Sequence, residues 1–169
     1  MAQQTDNGMA RVQRILAHSD YKTYIKKIAK HEKSRKFCGH DMVHFMDVAR
    51  IAMILNLEQM EAPLDKETIY AAALLHDIGR FVQYEDGTDH AKASAKLAPA
   101  ILKDCGFTSD EAAVIVEAIG NHRNKEIKDD ADLNGLLYRA DKLSRPCYGC
   151  LMQDECNWKR KKKNLELKY

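Results

Sequence analysis

Apolar residues recur along this chain at helical spacing, and regular strand-like alternation is hard to find. Val12, Ile15 and Leu16 open one apolar face, which resumes at Tyr21, Tyr24, Ile25 and Ile28. Ser19 and Asp20 fall between these runs and predict two helices. The basic stretch over residues 30–38 predicts a loop. Asp41 reads as the N-cap of a helix to about residue 57, with Val43, Val48, Ile51, Ala52, Ile54 and Leu55 on its apolar face. Asp65 caps the next helix, which ends in AAALLHDIGR over residues 71–80, with Gly79 as the stop signal. A polar loop over residues 83–89 leads to a helix over 90–105 that Pro99 is expected to kink or divide. Thr108 and Glu111 have the form of a capping box before the apolar run at 113–119, and a last clear helix covers 133–143. The pattern predicts an all-α fold.

Composition adds a size limit and excludes some classes. With 169 residues and 45% hydrophobic content, the chain can bury one sizeable core but not two, so one domain is expected. Only three prolines and eight glycines agree with helices joined by short loops. Residues 1–9 are polar and predict a disordered N-terminus. No apolar stretch approaches the roughly 20 residues of a membrane span, and no signal-peptide core is present, so a cytoplasmic location is expected. A formal charge of +2 is too small to indicate a nucleic-acid partner, and the basic run Lys159 to Lys163 reads as a solvated tail.

The chemistry centres on His76 and Asp77. An imidazole beside a carboxylate at a helix end suits iron, manganese, zinc or nickel better than calcium. His44, then His76 with Asp77, then Asp141 fall in successive helical segments. The surrounding blocks HFMDVA (44–49), ALLHDIGR (73–80) and LYRADKL (137–143) resemble the three signature segments of the HD superfamily of metal-dependent phosphohydrolases. The resemblance implies a compact HD-domain bundle of about six helices over residues 10–145. Residues 146–169 remain as a cysteine-containing basic segment packed on that domain or extending from it.

His90 and His122 lie between the His-Asp pair and Asp141. Branches of the family with two added histidines there hold two metals. The resemblance therefore implies His44, His76, Asp77 and Asp141 around one divalent ion, with Asp77 bridging to a second held by His90 and His122. Iron or manganese is favoured, with zinc or nickel compatible. Such ions lower the pKa of a shared water, which then attacks phosphorus in a phosphate ester or anhydride. Asp77, His76 and Arg80 are the residues expected at the chemistry, and Arg80, Arg123, Lys142 and Arg145 are candidate phosphate ligands. The expected substrate is a phosphorylated small molecule, first of all a nucleotide. The segments around His90 and His122 look most like small bacterial enzymes that split dinucleoside tetraphosphates. Gly79-Arg80-Phe81 departs from the branch acting on cyclic dinucleotides. A diiron oxygenase and a non-catalytic nucleotide-binding module are the rival classes. His18, His31 and His40 read as ordinary residues.

Cys147, Cys150 and Cys156 lie within ten residues of one another, beyond the signature segments. Thiolates favour zinc or an iron–sulfur cluster, and three leave a four-ligand site one short. Cys38, six residues before His44, is the natural fourth, with Cys105 its competitor. Reduced packed thiols or a Cys147–Cys150 disulfide are the alternatives.

Overall fold

A computed structural model describes residues 8–169, and the expected disorder at residues 1–9 lies almost wholly outside them. Among the described residues there are eight α-helices and no strand. Helices α1 (Ala10–Ala17) and α2 (Ser19–His31) meet at His18, whose ring caps α2 by accepting the Asp20 N–H at 3.1 Å. Asp41 caps α3 (Met42–Gln59), Asp65 caps α4 (Lys66–Leu75), and the Thr108–Glu111 capping box opens α7 (Ser109–Asn121). Each cap satisfies N–H groups that the first helical turn leaves without partners.

Two expectations are corrected. The segment after Gly79 is not all loop, because α5 (Arg80–Asp86) occupies it and ends at Gly87 with φ +82°. Helix α6 (His90–Asp104) runs through Pro99 as one helix. With the division at Ser19, the short α5 brings the total above the expected six. Helix α8 (Leu133–Leu143) completes the set.

The bundle is organised around α4, which touches α1, α3, α6, α7 and α8. Ala71, Ala72, Ala73, Leu74 and Leu75 are all fully buried. A helix buried on every side needs an apolar surface all round, and its small alanines let the neighbouring helices come close. Arg11 fastens the N-terminal helix to this frame, donating through Nε to Glu67 at 2.5 Å and through Nη1 to Glu111 at 2.7 Å. The result is a rigid central helix whose C-terminal end carries His76 and Asp77.

Candidate metal centre

The turn at the end of α4 is shaped by close approach. Gly79 has φ −82°, so it is not the left-handed stop that the sequence suggests. A Cβ added there would lie 2.4 Å from the Ser94 nitrogen and 2.7 Å from the Ala93 carbonyl carbon, both backbone of α6. The Gly79 N–H donates to Ser94 Oγ at 2.9 Å. This packing sets the turn bearing His76 and Asp77 directly against the helix that begins with His90.

Six expected ligands converge from five elements and are all buried. His44 stands in the first turn of α3, His76 and His122 at the C-terminal ends of α4 and α7, His90 at the start of α6, and Asp141 in the last turn of α8. The two oxygens of Asp77 divide the histidines between them. Oδ2 lies 3.2 Å from His76 Nε2 and 3.8 Å from His44 Nε2; Oδ1 lies 3.2 Å from His90 Nε2 and 3.6 Å from His122 Nε2. Asp141 Oδ1 joins the first set, 3.6 Å from His44 Nε2 and 3.9 Å from His76 Nε2. Two groups able to hold a metal ion result, His44/His76/Asp77 and Asp77/His90/His122, sharing one carboxylate.

The opposite ring nitrogens are already occupied. His76 Nδ1 donates to Ala73 O and His122 Nδ1 to Ile119 O, each at 2.7 Å across one helical turn. A carbonyl only accepts, so both rings carry their proton on Nδ1 and leave Nε2 free for a metal. His90 Nδ1 lies 2.6 Å from Gln83 Oε1, which also accepts from Arg80 Nη1. Meanwhile His44 Nε2, His76 Nε2, Asp77 Oδ1 and Asp141 Oδ1 are buried without hydrogen-bond partners. Buried polar atoms left unpaired are costly. Four of them pointing into one space fit cations.

The electrostatics agree with the geometry. Burial would raise the Asp77 carboxyl, but the surrounding His76, His122 and His44 rings hold it well below the usual range. Asp141 is likewise lowered, burial being outweighed by Lys142, which pairs with its Oδ2, and by His76. Burial and the nearby Arg80, His122 and Arg123 push His90 down to about 3 against the pull of Asp77, leaving it neutral as a ligand must be.

His40 is not an ordinary residue. It is buried, its Nε2 lies 3.6 Å from Asp77 Oδ2, and Glu32 grips its other face. Its position four residues before His44 was the available signal. His18 and His31 remain peripheral, beside Asp104 and Glu85.

A cavity of about 620 Å³ opens over Asp77 and Asp141. All four expected phosphate-binding cations, Arg80, Arg123, Lys142 and Arg145, line it. So do Lys125, Lys161 and Lys162. The C-terminal basic run is therefore in part a wall of the site rather than only a solvated tail. Trp158 adds an aromatic wall, with the Arg145 guanidinium 4.8 Å from its ring centre. Asn164 anchors this segment to the end of α8, donating to Lys142 O at 2.7 Å and to Arg145 O at 3.0 Å. The four cysteines expected as thiolate ligands lie along two adjoining cavities. Cys38, Cys147 and Cys156 line an adjoining cavity and Cys150 another, and neither close metal-holding group among the described residues contains a cysteine. Cys105 is packed in the hydrophobic core.

Among the described residues no helix is long and apolar enough to cross a membrane. The chain is 45% identical over 161 residues to an uncharacterized protein of Clostridium beijerinckii, covering 95% of this chain and all of that one. It is 27% identical over 150 residues to ribonuclease Y of Enterococcus faecalis, covering 89% of this chain but only 27% of that enzyme. The crystal structure of a predicted HD superfamily hydrolase from an uncultured Thermotogales bacterium has a similar fold, with a TM-score of 0.58 at 24% identity over 84% of this chain and 80% of that one. The HD domain family model matches residues 42–145, the span that carries all six converging ligands, and the chain belongs to this family of divalent-metal hydrolases.

Proposed function

We propose that this protein is a metal-dependent phosphohydrolase that cleaves a phosphate ester or anhydride of a nucleotide. The observation that carries this reading is the set of unpartnered buried atoms around Asp77, lying beneath a cavity walled by arginine and lysine. His44, His76, Asp77 and Asp141 would hold one divalent ion, and Asp77, His90 and His122 a second. Such ions supply a water that loses its proton near neutral pH and withdraw charge from phosphoryl oxygens.

The chain's own groups do the rest. Arg80 and Arg145 line the cavity beside the carboxylates and hold phosphate oxygens through paired N–H donors. Lys142 neutralises Asp141 Oδ2 and leaves Oδ1 directed at His44 and His76. His40, held by Glu32 at the cavity wall, is placed to give a proton to the leaving oxygen. Arg123, Lys125, Lys161 and Lys162 extend the positive wall outward, which favours a substrate with several phosphates. Trp158 offers a surface for a base or sugar.

A second reading is cleavage of RNA, favoured by the similarity to ribonuclease Y across 89% of this chain. The deciding experiment loads the protein separately with manganese, iron(II), zinc and nickel and screens nucleoside mono-, di- and triphosphates, dinucleoside tetraphosphates and short RNAs for turnover. Nucleotide turnover that disappears in Lys161→Ala/Lys162→Ala only for the longer phosphate chains supports the proposal. Turnover of RNA alone transfers it to the second reading. Nucleotide binding without turnover under every metal supports a binding module, and dioxygen consumption supports an oxygenase.

A further inference from the structure

Cys38, Cys147 and Cys156 line a single cavity of about 290 Å³ between the loop after α2 and the C-terminal segment. Phe37 and Trp158 give it apolar walls, Arg35 and Arg145 give it positive charge, and no carboxylate lines it among the described residues. Cys150 follows one 3-10 turn after Cys147, its N–H donating to Cys147 O at 3.3 Å. It lines a neighbouring cavity that shares Phe37, Cys38 and Arg145 with the first and has Asp41 and Asp47 in its own wall. None of the four cysteines is in a disulfide.

Distance separates the chemistries these thiols can serve. One tetrahedral ion with metal–sulfur bonds of about 2.3 Å needs its thiolates about 3.8 Å apart. No three cysteine sulfurs here lie within 4.8 Å of one another among the described residues. In a cubane cluster each thiolate binds a different iron, so the four sulfurs stand apart around a shared space. A cluster bound by four thiolates is also a net anion, which suits the arginine-lined, carboxylate-free cavity that Cys38, Cys147 and Cys156 share.

We propose that Cys38, Cys147, Cys150 and Cys156 hold a [4Fe–4S] cluster. Each thiol gives up its proton on ligation, and the cluster ties the loop before α3 to the C-terminal segment. That segment contains no α-helix, only the 3-10 turns Cys147–Gly149 and Arg160–Lys162. A cross-link there fixes the walls that Trp158, Lys161 and Lys162 add to the neighbouring cavity. The proposal does not depend on which substrate that cavity takes.

The test is to purify the full chain without oxygen, reconstitute it with ferric iron, sulfide and excess dithiothreitol as the reductant, and measure acid-labile sulfide. Sulfide counts only the cluster, because a histidine–carboxylate site holds none. About four sulfides per chain are expected, with a charge-transfer band near 400 nm. Cys150→Ser and Cys156→Ser should lose them, while Cys105→Ser should keep them. If those variants fail to fold, alkylation of the wild-type protein decides: four cysteines should be protected until the cluster is removed. Absence of sulfide, two sulfides per chain, zinc on sulfur by X-ray absorption, or a Cys147–Cys150 disulfide would each overturn the assignment.

Discussion

His40 Nδ1 lies 2.5 Å from Glu32 Oε1, and Glu32 Oε2 accepts the His40 backbone N–H at 2.7 Å. The same carboxylate accepts the Tyr84 hydroxyl at 2.6 Å. One acid thus fixes both the position and the ring orientation of a histidine facing the metal centre. His40→Ala should lower kcat about 100-fold, the scale of a lost acid–base group, while the metal content stays unchanged. Glu32→Gln should cost about 10-fold, as orienting partners do. Loss of a full metal equivalent in His40→Ala would make His40 a ligand instead.

The pH dependence of stability follows from the same pair. Burial would raise the Glu32 carboxyl, but the hydrogen bond from His40 and its charge bring it from 4.5 down to about 2. A carboxylate depressed by folding stabilises the native state above its unfolded pKa, and this contribution is lost as pH falls through the folded value. Wild-type stability should therefore drop between pH 4.5 and about 2, by up to about 3 kcal/mol from this group. Acid unfolding followed by circular dichroism should show a flatter profile for Glu32→Gln in that window. Parallel profiles would remove the role assigned to Glu32.

Asp77 directs a different oxygen at each histidine pair. Asp77→Asn keeps the shape but removes the negative charge and replaces one acceptor oxygen with a donor group. Hydrolysis should fall below detection and bound metal should decrease, with helical content retained. Full metal occupancy and turnover in this variant would contradict a bridging role.

His90 and His122 meet only the Oδ1 side of the carboxylate. Plasma emission analysis of His90→Ala should find about one metal equivalent fewer than wild type, with His44, His76 and Asp141 still binding theirs. A wild-type content of one ion per chain under saturating metal would limit the centre to the first group.

Gly79 sits where a Cβ meets the backbone of α6, which cannot rotate away. Gly79→Ala should destabilise the protein by about 1–3 kcal/mol, the usual cost of overpacking. Metal affinity should fall too, because the affected turn carries His76 and Asp77. A variant with wild-type melting temperature and metal content would show that α6 yields at little cost.

Much of this architecture was legible locally. The spacing of Val48, Ala52 and Leu55, the caps at Asp41 and Asp65, and the Thr108–Glu111 box each depend on residues within one or two helical turns. The order His44, His76-Asp77, Asp141 identified the family because helix ends carry those side chains in a fixed sequence. The division of the Asp77 oxygens, the role of His40, the need for a glycine at 79 and the entry of Lys161 and Lys162 into the cavity wall were not legible in this way. Each depends on contacts between segments distant in sequence: His40 with Asp77, Gly79 against α6, and Asn164 on the end of α8. Periodicity and capping report forces acting along one helix, whereas the site is made where the ends of five elements meet, and their packing is decided by the whole core at once.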